Sequence, residues 1–265
     1  MCSQYGLAEV DRTQLYYEVA GTGDAVVFIH GLGADRRLWD AQFTSFAKHY
    51  RILRYDLRGH GKSAVPTSEQ YTHADDLKAL LNQLGIARAH LIGQSLGGEI
   101  ALNFALTNPE SVRSLVLVDS ALGGYKWSEA WNTSWLPIFA AASTKGKAGV
   151  LDLVLKHPSL AFTMENPAVN PRLTQILSDY SCWHFLNADP VQHLEPPAVQ
   201  RLDQITVPTL IIIGEHELPD FHAIAAKLEQ IPGSTRVVVG CGHVVPMEAS
   251  DQFNELVLEF LPRSG

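Results

Sequence analysis

The sequence is poor in cysteine, with Cys2, Cys182 and Cys241 the only three among 265 residues. An odd and scattered set does not make a disulfide framework, so we expect reduced thiols. The 11 histidines are also dispersed, without a His-Glu-x-x-His or a Cys-x-x-Cys pattern. We therefore expect neither a metal site nor a cofactor.

Charge is sparse as well, at 18% of residues, and the net charge of −8 comes from acids and bases mixed along the chain. Because no basic run could neutralise a phosphate backbone, nucleic acid is not an expected partner. No apolar stretch approaches the length of a membrane span, and the first residues lack the charged and apolar parts of a signal peptide. We expect a cytoplasmic protein without a membrane span, and its oligomeric state stays open.

What the sequence does contain is a repeated alternation of strand and helix patterns. Continuous apolar, β-branched runs predict buried strands, and apolar residues at helical spacing predict helices between them. The strands are expected at 25–29, 51–55, 112–118, 209–213 and 235–239, after a hairpin over 5–10 and 14–20, and the helices at about 36–48, 72–84, 221–230 and 250–261. This alternation predicts an α/β fold with a mostly parallel central sheet and helices on both faces.

The alternation stops between residues 122 and 200. This stretch has helix-like segments, frequent prolines and no convincing strand. We therefore expect a core formed by residues 1–121 and 201–265, interrupted by a helical insertion over 122–200. With 46% hydrophobic residues, the chain can bury one large core or two modest ones.

The most informative stretch is Gly93-Gln94-Ser95-Leu96-Gly97, which lies between an apolar run (90–92) and a helix-like one (100–105). This order predicts a strand, a very tight turn and a helix. Glycine is needed at both ends because a serine on so sharp a turn brings neighbouring side chains into collision. Ser95 would then stand exposed above a sheet edge. The alternative is a helix-capping serine in a glycine-rich loop.

Four further segments fall at predicted strand ends. They are His30-Gly31-Leu32-Gly33, the stretch from Asp56 to Ser63, the stretch from Gly214 to Glu217, and Gly242-His243. Together with the Ser95 turn they resemble the α/β-hydrolase superfamily over nearly the whole chain apart from the insertion. The resemblance implies an α/β-hydrolase fold with a helical cap, and a serine nucleophile, an acid and a histidine in that chain order.

The resemblance implies roles for three side chains. Ser95 is the nucleophile, and His243 is the base that activates its hydroxyl. Glu217 stands where the family pattern places an aspartate, and it would orient the imidazole. Asp220 and Asp119 stay open as alternatives for this acid, because both follow a predicted strand.

An acyl-transfer site also needs N–H groups that stabilise the developing oxyanion. By resemblance, these are the backbone N–H groups of Leu32 and Leu96. Asp56 and Arg58 are assigned to loop structure, through a buried ion pair and a turn, rather than to chemistry.

The insertion holds four of the five tryptophans. Trp127, Trp131 and Trp135 recur every fourth residue, so on one helix they would share a face. They either pack the insertion onto the core or, with Trp183, line a pocket for an apolar acyl or aryl group. Phe139, Phe162, Met164 and Phe185 could add to such a pocket. Arg172 is the only arginine of the insertion, which argues against a substrate with a free carboxylate.

These features predict a cofactor-independent serine hydrolase that cleaves a small-molecule carboxylic ester or lactone through an acyl-enzyme. Within the superfamily, the chain looks most like small esterases, enol-lactone hydrolases and carbon–carbon bond hydrolases. The last group tends to carry a tryptophan after the base, where this chain has Val244. The alternatives are a carbon–carbon hydrolase, a perhydrolase, or a non-catalytic protein that binds a small ligand on the same fold.

Overall fold

One eight-stranded sheet organises the chain in a computed structural model that describes residues 4–10 and 12–261. The strands are β1 (Gln4–Val10), β2 (Thr13–Ala20), β3 (Ala25–Ile29), β4 (Arg51–Tyr55), β5 (Ala89–Gln94), β6 (Val112–Val118), β7 (Thr209–Gly214) and β8 (Thr235–Val239). They lie in the order β1-β2-β4-β3-β5-β6-β7-β8. Strands β1 and β2 form an antiparallel hairpin, and β2 pairs antiparallel with β4. All the other neighbouring strands pair in parallel.

Helices cover both faces of this sheet. They are α1 (Asp40–Phe46), α2 (His73–Gln83), α3 (Leu96–Thr107), α4 (Glu129–Val154), α5 (Ala161–Glu165), α6 (Asn170–Asp179), α7 (Trp183–Leu186), α8 (Pro219–Leu228), α9 (Val245–Glu248) and α10 (Ser250–Phe260). Alternate residues of a strand point to opposite faces. In β3, Val27 and Ile29 pack with α2, α3 and α8, whereas Val26 and Phe28 pack with α1 and α10. The predicted α/β fold is confirmed.

The element bounds follow the sequence patterns closely in the sheet and less closely at the first helix. The expected helix over 36–48 begins as a 3₁₀ turn, Arg36–Trp39, and continues as α1. Asp35 caps this turn by accepting a hydrogen bond from the backbone N–H of Arg37 at 2.8 Å. The N–H of Arg36 donates instead to Asp56, 20 residues further along the chain, at 2.9 Å, so one local and one distant polar contact accompany the tighter turn.

The helical insertion lies between β6 and β7 and contains α4 to α7. Its described residues form no strand; their one strand-like contact is an isolated bridge from Val191 to Tyr71. Gly146, with φ 59°, divides α4 into two helical segments. The insertion is tied to the core by Arg172, whose guanidinium lies 2.6 Å from the carboxylate of Asp40.

Asp56 and Arg58 are both buried in ion pairs, but with different partners. Arg36 lies 2.9 Å from Asp56, and Arg58 lies 2.6 Å from Asp76. Cys182 and Cys241 are buried free thiols, and Cys2 lies outside the described residues. Judged by length and hydropathy, none of the helices in the described part of the chain could serve as a membrane span.

Candidate active site

Ser95 lies at the turn between β5 and α3, at φ 55° and ψ −118°. Residues other than glycine rarely adopt such a backbone, and one held there marks a position that the surrounding structure enforces. A Cβ on Gly93 would collide with the backbone of Gly97, and a Cβ on Gly97 would collide with the backbone of Ile29. Strand, turn and helix therefore pack without space for side chains, and Ser95 is left partly exposed at the edge of the sheet.

The first glycine turn lies directly against this serine. A methyl group on Gly31 would be 3.1 Å from the Cβ of Ser95. Leu32 follows in the same turn, and Leu96 is the first residue of α3, where N–H groups have no acceptor within the helix. Both leucines line the cavity that contains Ser95.

Two buried histidines hold the glycine turn in place; both lie in motifs at predicted strand ends, although the sequence indicated no such role for their side chains. The Nδ1 of His30 contacts the carbonyl of Gly31 at 2.8 Å, and its Nε2 accepts from the N–H of Leu57 at 3.0 Å. His60 likewise accepts from the N–H of Gly33 at 3.2 Å. Burial lowers the pKa of both imidazoles, so they stay neutral and keep one accepting nitrogen.

His243 and Glu217 are joined by a hydrogen bond between the imidazole Nδ1 and the carboxylate Oε1. Both side chains are buried. The other carboxylate oxygen accepts from the N–H of Leu218 at 2.7 Å. Gln94, the residue before Ser95, donates from its side chain to the carbonyl of His243 at 3.0 Å. With Nδ1 engaged, Nε2 is the imidazole nitrogen that remains for the cavity shared with Ser95.

A second carboxylate, that of Glu248, fixes the loop that carries His243. It accepts from the N–H groups of Gly242 at 3.0 Å and Val244 at 2.9 Å. It also accepts from the hydroxyl of Thr163, in α5 of the insertion, at 2.6 Å. Glu248 is thus a positioning residue, and the sequence alone did not indicate it.

Of the alternative acids, Asp220 serves another purpose. Its carboxylate accepts from the backbone N–H of Ser128 at 2.9 Å and from the Ser128 hydroxyl at 2.6 Å. Ser128 is the N-cap of α4. Asp220 therefore attaches the start of the insertion to α8 of the core.

Asp119, which follows β6, does lie beside the candidate pair. One ligand-type atom each of Asp119, Glu217 and His243 lies within 4.8 Å of the others. Because Glu217 and His243 are hydrogen-bonded to each other, the cluster is arranged as an acid–imidazole pair rather than around an ion. Burial, and then the charge of Glu217, raises the pKa of Asp119 well above its usual range.

The cavity above Ser95 has a volume of about 230 Å³. Its wall is largely apolar, and among the described residues it includes no aspartate, glutamate, lysine or arginine. The polar side chains in the wall are those of Gln94, Ser95, His157, Ser159 and His243. Such a site suits an apolar group held next to a few convergent polar groups.

Trp127, Trp131 and Trp135 all line this cavity. They do not share one helix face as expected, because Trp127 precedes the N-cap of α4. The rings of Trp127 and Trp131 stack with centroids 4.4 Å apart, and each contacts Phe221 of α8 at 5.4 Å. Trp127 and Trp131 therefore both pack the insertion onto the core and form the cavity wall, whereas Trp135 packs on His157 and Phe185 within the insertion.

Of the other side chains expected to line the pocket, some lie in the cavity wall and others do not. Phe185 lines the cavity. Trp183 is not among the described residues of its wall, and its ring packs edge-on against His184 at 5.2 Å. Phe162 stacks on His216 at 4.0 Å. Phe139, Phe162 and Met164 likewise lie outside the described cavity wall.

His157 is a cavity residue that the sequence did not indicate. Its Nε2 and Nδ1 lie 2.8 Å from the hydroxyls of Ser134 and Ser159, and its ring stacks on Trp135 at 4.2 Å. Burial, with a smaller effect of His243, lowers its pKa to about 4. His157 is therefore a neutral part of the wall at pH 7.

Comparison with known proteins agrees with this geometry. The sequence model of the alpha/beta hydrolase fold matches residues 24–250. The chain belongs to the α/β-hydrolase family. It is 32% identical, over 98% of its length and 96% of the relative's, to a 2-hydroxy-6-oxononadienedioate/2-hydroxy-6-oxononatrienedioate hydrolase of Burkholderia vietnamiensis. The superfamily resemblance drawn from the sequence motifs is confirmed, and this α/β-hydrolase is an enzyme.

Two solved structures show the same fold over nearly the full length of the α/β-hydrolase. The enol-lactonase of Burkholderia xenovorans is 28% identical, with a TM-score of 0.80 over 97% of this chain and 100% of that one. A thermophilic esterase of Thermogutta terrifontis is 25% identical, with a TM-score of 0.81 over 98% and 99% of the two chains.

Proposed function

We propose that this α/β-hydrolase is a cofactor-independent serine hydrolase that cleaves a carboxylic ester or lactone through an acyl-enzyme. The observation that carries the proposal is that Ser95, on its strained turn, lines one cavity with His243, whose imidazole is hydrogen-bonded to Glu217. A serine, a base and an orienting acid are the groups that activate a hydroxyl at neutral pH.

In this mechanism, the Ser95 hydroxyl attacks the carbonyl carbon and gives its proton to Nε2 of His243. Glu217 holds the Nδ1 proton and stabilises the imidazolium. The N–H groups of Leu32 and Leu96 bind the oxyanion. His243 then protonates the leaving alcohol, and a water molecule repeats the sequence on the acyl-enzyme to release the acid.

The cavity favours a compact apolar acyl or aryl group. Tryptophan and leucine side chains supply most of its wall, and no cationic side chain among the described lining residues could pair with a substrate carboxylate. In this proposal the insertion over 122–200 acts as a cap, with Trp127, Trp131 and Trp135 as substrate contacts and the reaction taking place in the cytoplasm. Trp183, away from the wall, has no such role.

A carbon–carbon bond hydrolase is the second candidate, because the Burkholderia vietnamiensis relative is named for such a 2-hydroxy-6-oxo substrate. Val244 after the base and the lack of a described cationic wall residue weigh against it. The non-catalytic binding protein has no support, since the relatives are named as hydrolases.

The test is a series of p-nitrophenyl esters and aryl lactones, with a vinylogous 1,5-diketone as the carbon–carbon substrate. We expect burst kinetics with short aryl esters, and labelling by a fluorophosphonate probe. Ser95→Ala should abolish both, whereas Ser143→Ala, at an exposed position of α4, should change neither. Turnover of the diketone alone would replace the ester proposal with the second candidate, and no turnover of any substrate would end both.

A further inference from the structure

The end of β6 brings an additional carboxyl group to the acid–base pair. Asp119 is 1% exposed, and Glu217 and His243 are 8% exposed, so all three are removed from solvent. Atoms of the three groups lie within 4.8 Å of one another. Asp119 itself has a positive φ of 41°, an uncommon backbone for a residue other than glycine.

The two carboxyl groups differ in their hydrogen bonds. Both oxygens of Glu217 are engaged, one with His243 and one with the N–H of Leu218. Asp119 accepts from the N–H of Gly214 at 2.8 Å through Oδ1. Its Oδ2 is buried and makes no hydrogen bond of normal geometry with the described residues, although the backbone N–H of Val245 lies close enough to lower the pKa of the carboxyl group. An ionised carboxylate with a buried oxygen that accepts no hydrogen bond is unfavourable in free energy. A protonated carboxyl group instead needs a hydrogen-bond acceptor, which a neighbouring carboxylate provides.

The charges around Asp119 also favour its protonated form. The groups that face it are the carboxylates of Glu217 and Glu248, the imidazole of His243 and the thiol of Cys241. Burial raises the pKa of that thiol, so it stays neutral. One imidazole cannot compensate the buried carboxylates of Asp119 and Glu217 together with the half-buried carboxylate of Glu248, so carboxyl groups this close hold a proton between them. The raised pKa of Asp119 agrees with this.

We propose that Asp119 and Glu217 share one proton, with Asp119 as the neutral partner that donates to Glu217, and that Asp119 becomes the orienting carboxylate when Glu217 is removed. Asp119 is in this sense a positioning residue, because it acts on His243 and not on the substrate. The second half of the proposal rests on the proposed serine hydrolase function. The first half does not.

The proposal predicts a distinct behaviour for a variant in which the charge at Glu217 is removed. In Glu217→Gln, burial still raises the pKa of Asp119 but the like charge of Glu217 is gone, so Asp119 loses its proton at a lower pH than in the wild type and then pairs with His243. Asp119→Asn, in contrast, resembles the neutral acid, because the amide can accept from Gly214 and donate to Glu217. The two single variants are therefore expected to behave differently, and only the double variant lacks both carboxylates.

The kinetic test compares both single variants and the double variant with an aryl ester over a range of pH. We expect Asp119→Asn to keep kcat within about 3-fold and Glu217→Gln to lose about 10- to 100-fold; the double variant should lose on the order of 10⁴-fold, as expected when an imidazole loses its orienting acid. The kcat of Glu217→Gln should also rise with pH as Asp119 ionises. A double variant no worse than Glu217→Gln would overturn the takeover by Asp119.

An independent test measures the proton itself. Infrared difference spectra between wild type and Asp119→Asn at neutral pH should contain the C=O band of a protonated carboxyl group that Asp119→Asn lacks. Ser95→Ala should keep this band, because the shared proton does not depend on turnover. If the wild type shows no such band, or if Asp119→Asn retains it, the shared proton is refuted whatever the enzyme hydrolyses. Circular dichroism of each variant verifies folding.

Discussion

The hydroxyl of Thr163 donates to the carboxylate of Glu248 at 2.6 Å and so connects the helical insertion to the loop of the candidate base. Thr163 is fully buried in α5. Because the same carboxylate holds the N–H groups on either side of His243, this contact couples the position of the insertion to that of the imidazole.

Thr163→Val tests this coupling. The variant keeps the shape of the side chain but leaves Glu248 without one donor, at a cost of about 1–3 kcal/mol in the free energy of unfolding. We expect a lower kcat with a smaller change in KM, measured with an aryl ester, and a lower midpoint in urea. Thr144→Val, at an exposed position of α4, is the matched control and should change neither. An unchanged kcat in a destabilised Thr163→Val would show that the contact is structural only.

Asp220→Ala separates the alternatives for the orienting acid. The substitution removes the carboxylate that accepts from the N–H and hydroxyl groups of Ser128, and the loss of hydrogen bonds to a charged group costs about 1.5–3 kcal/mol. We expect a raised KM and a lower melting temperature, with kcat within a few-fold of wild type. A loss of kcat on the order of 10³-fold in a folded Asp220→Ala would instead favour Asp220 as the acid.

Trp131→Ala tests the aromatic wall. Trp131 stacks on Trp127, contacts Phe221 and lines the cavity, but it is only half-buried, so its loss should cost less than the roughly 3–5 kcal/mol lost with a fully buried tryptophan. The KM for an aryl or long-chain ester should rise more than the KM for an acetate ester. Trp183→Ala, away from the wall, should affect both esters equally. Equal effects of Trp131→Ala on both substrates would mean that the ring only packs the insertion.

His157 predicts a dependence of stability on pH. Its pKa of about 4 in the folded protein is below the unfolded value near 6.5, so the unfolded chain binds more protons between these values. The contribution of His157 is therefore lost as pH falls from about 6.5 toward 4, by up to about 1.4 kcal/mol per pH unit. Urea titrations of wild type and His157→Gln should converge over this window, with His157→Gln the less pH-dependent. Parallel curves would contradict a buried neutral imidazole.

The sheet and the Ser95 turn could be predicted from the sequence because both depend on local patterns. The runs over 51–55, 112–118 and 235–239 become strands with the same bounds, since each is rich in the β-branched, aliphatic or aromatic residues that strands favour, although β8 is largely exposed. The turn is recognised from a short motif, although packing requires Gly93 within the turn itself and Gly97 against the distant strand residue Ile29.

Contacts between distant segments could not be predicted in this way. Asp119, Glu217 and Asp220 all come after predicted strands, so the sequence does not distinguish them. Only the folded structure shows that Asp220 contacts Ser128, whereas Asp119 lies beside Glu217. Trp127 fits the helical spacing, yet Ser128 begins the helix after it. The role of Glu248 depends on contacts that no spacing rule describes.

The contact from Gln94 to the carbonyl of His243 joins the ends of β5 and β8, with β6 and β7 between them in the sheet. This hydrogen bond therefore relates the position of His243 to that of Ser95 across four strands rather than within one loop. A small change in the packing of the buried residues of β6 or β7 would shift the donor and acceptor of this hydrogen bond relative to each other. We expect the reaction rate to change before the melting temperature does.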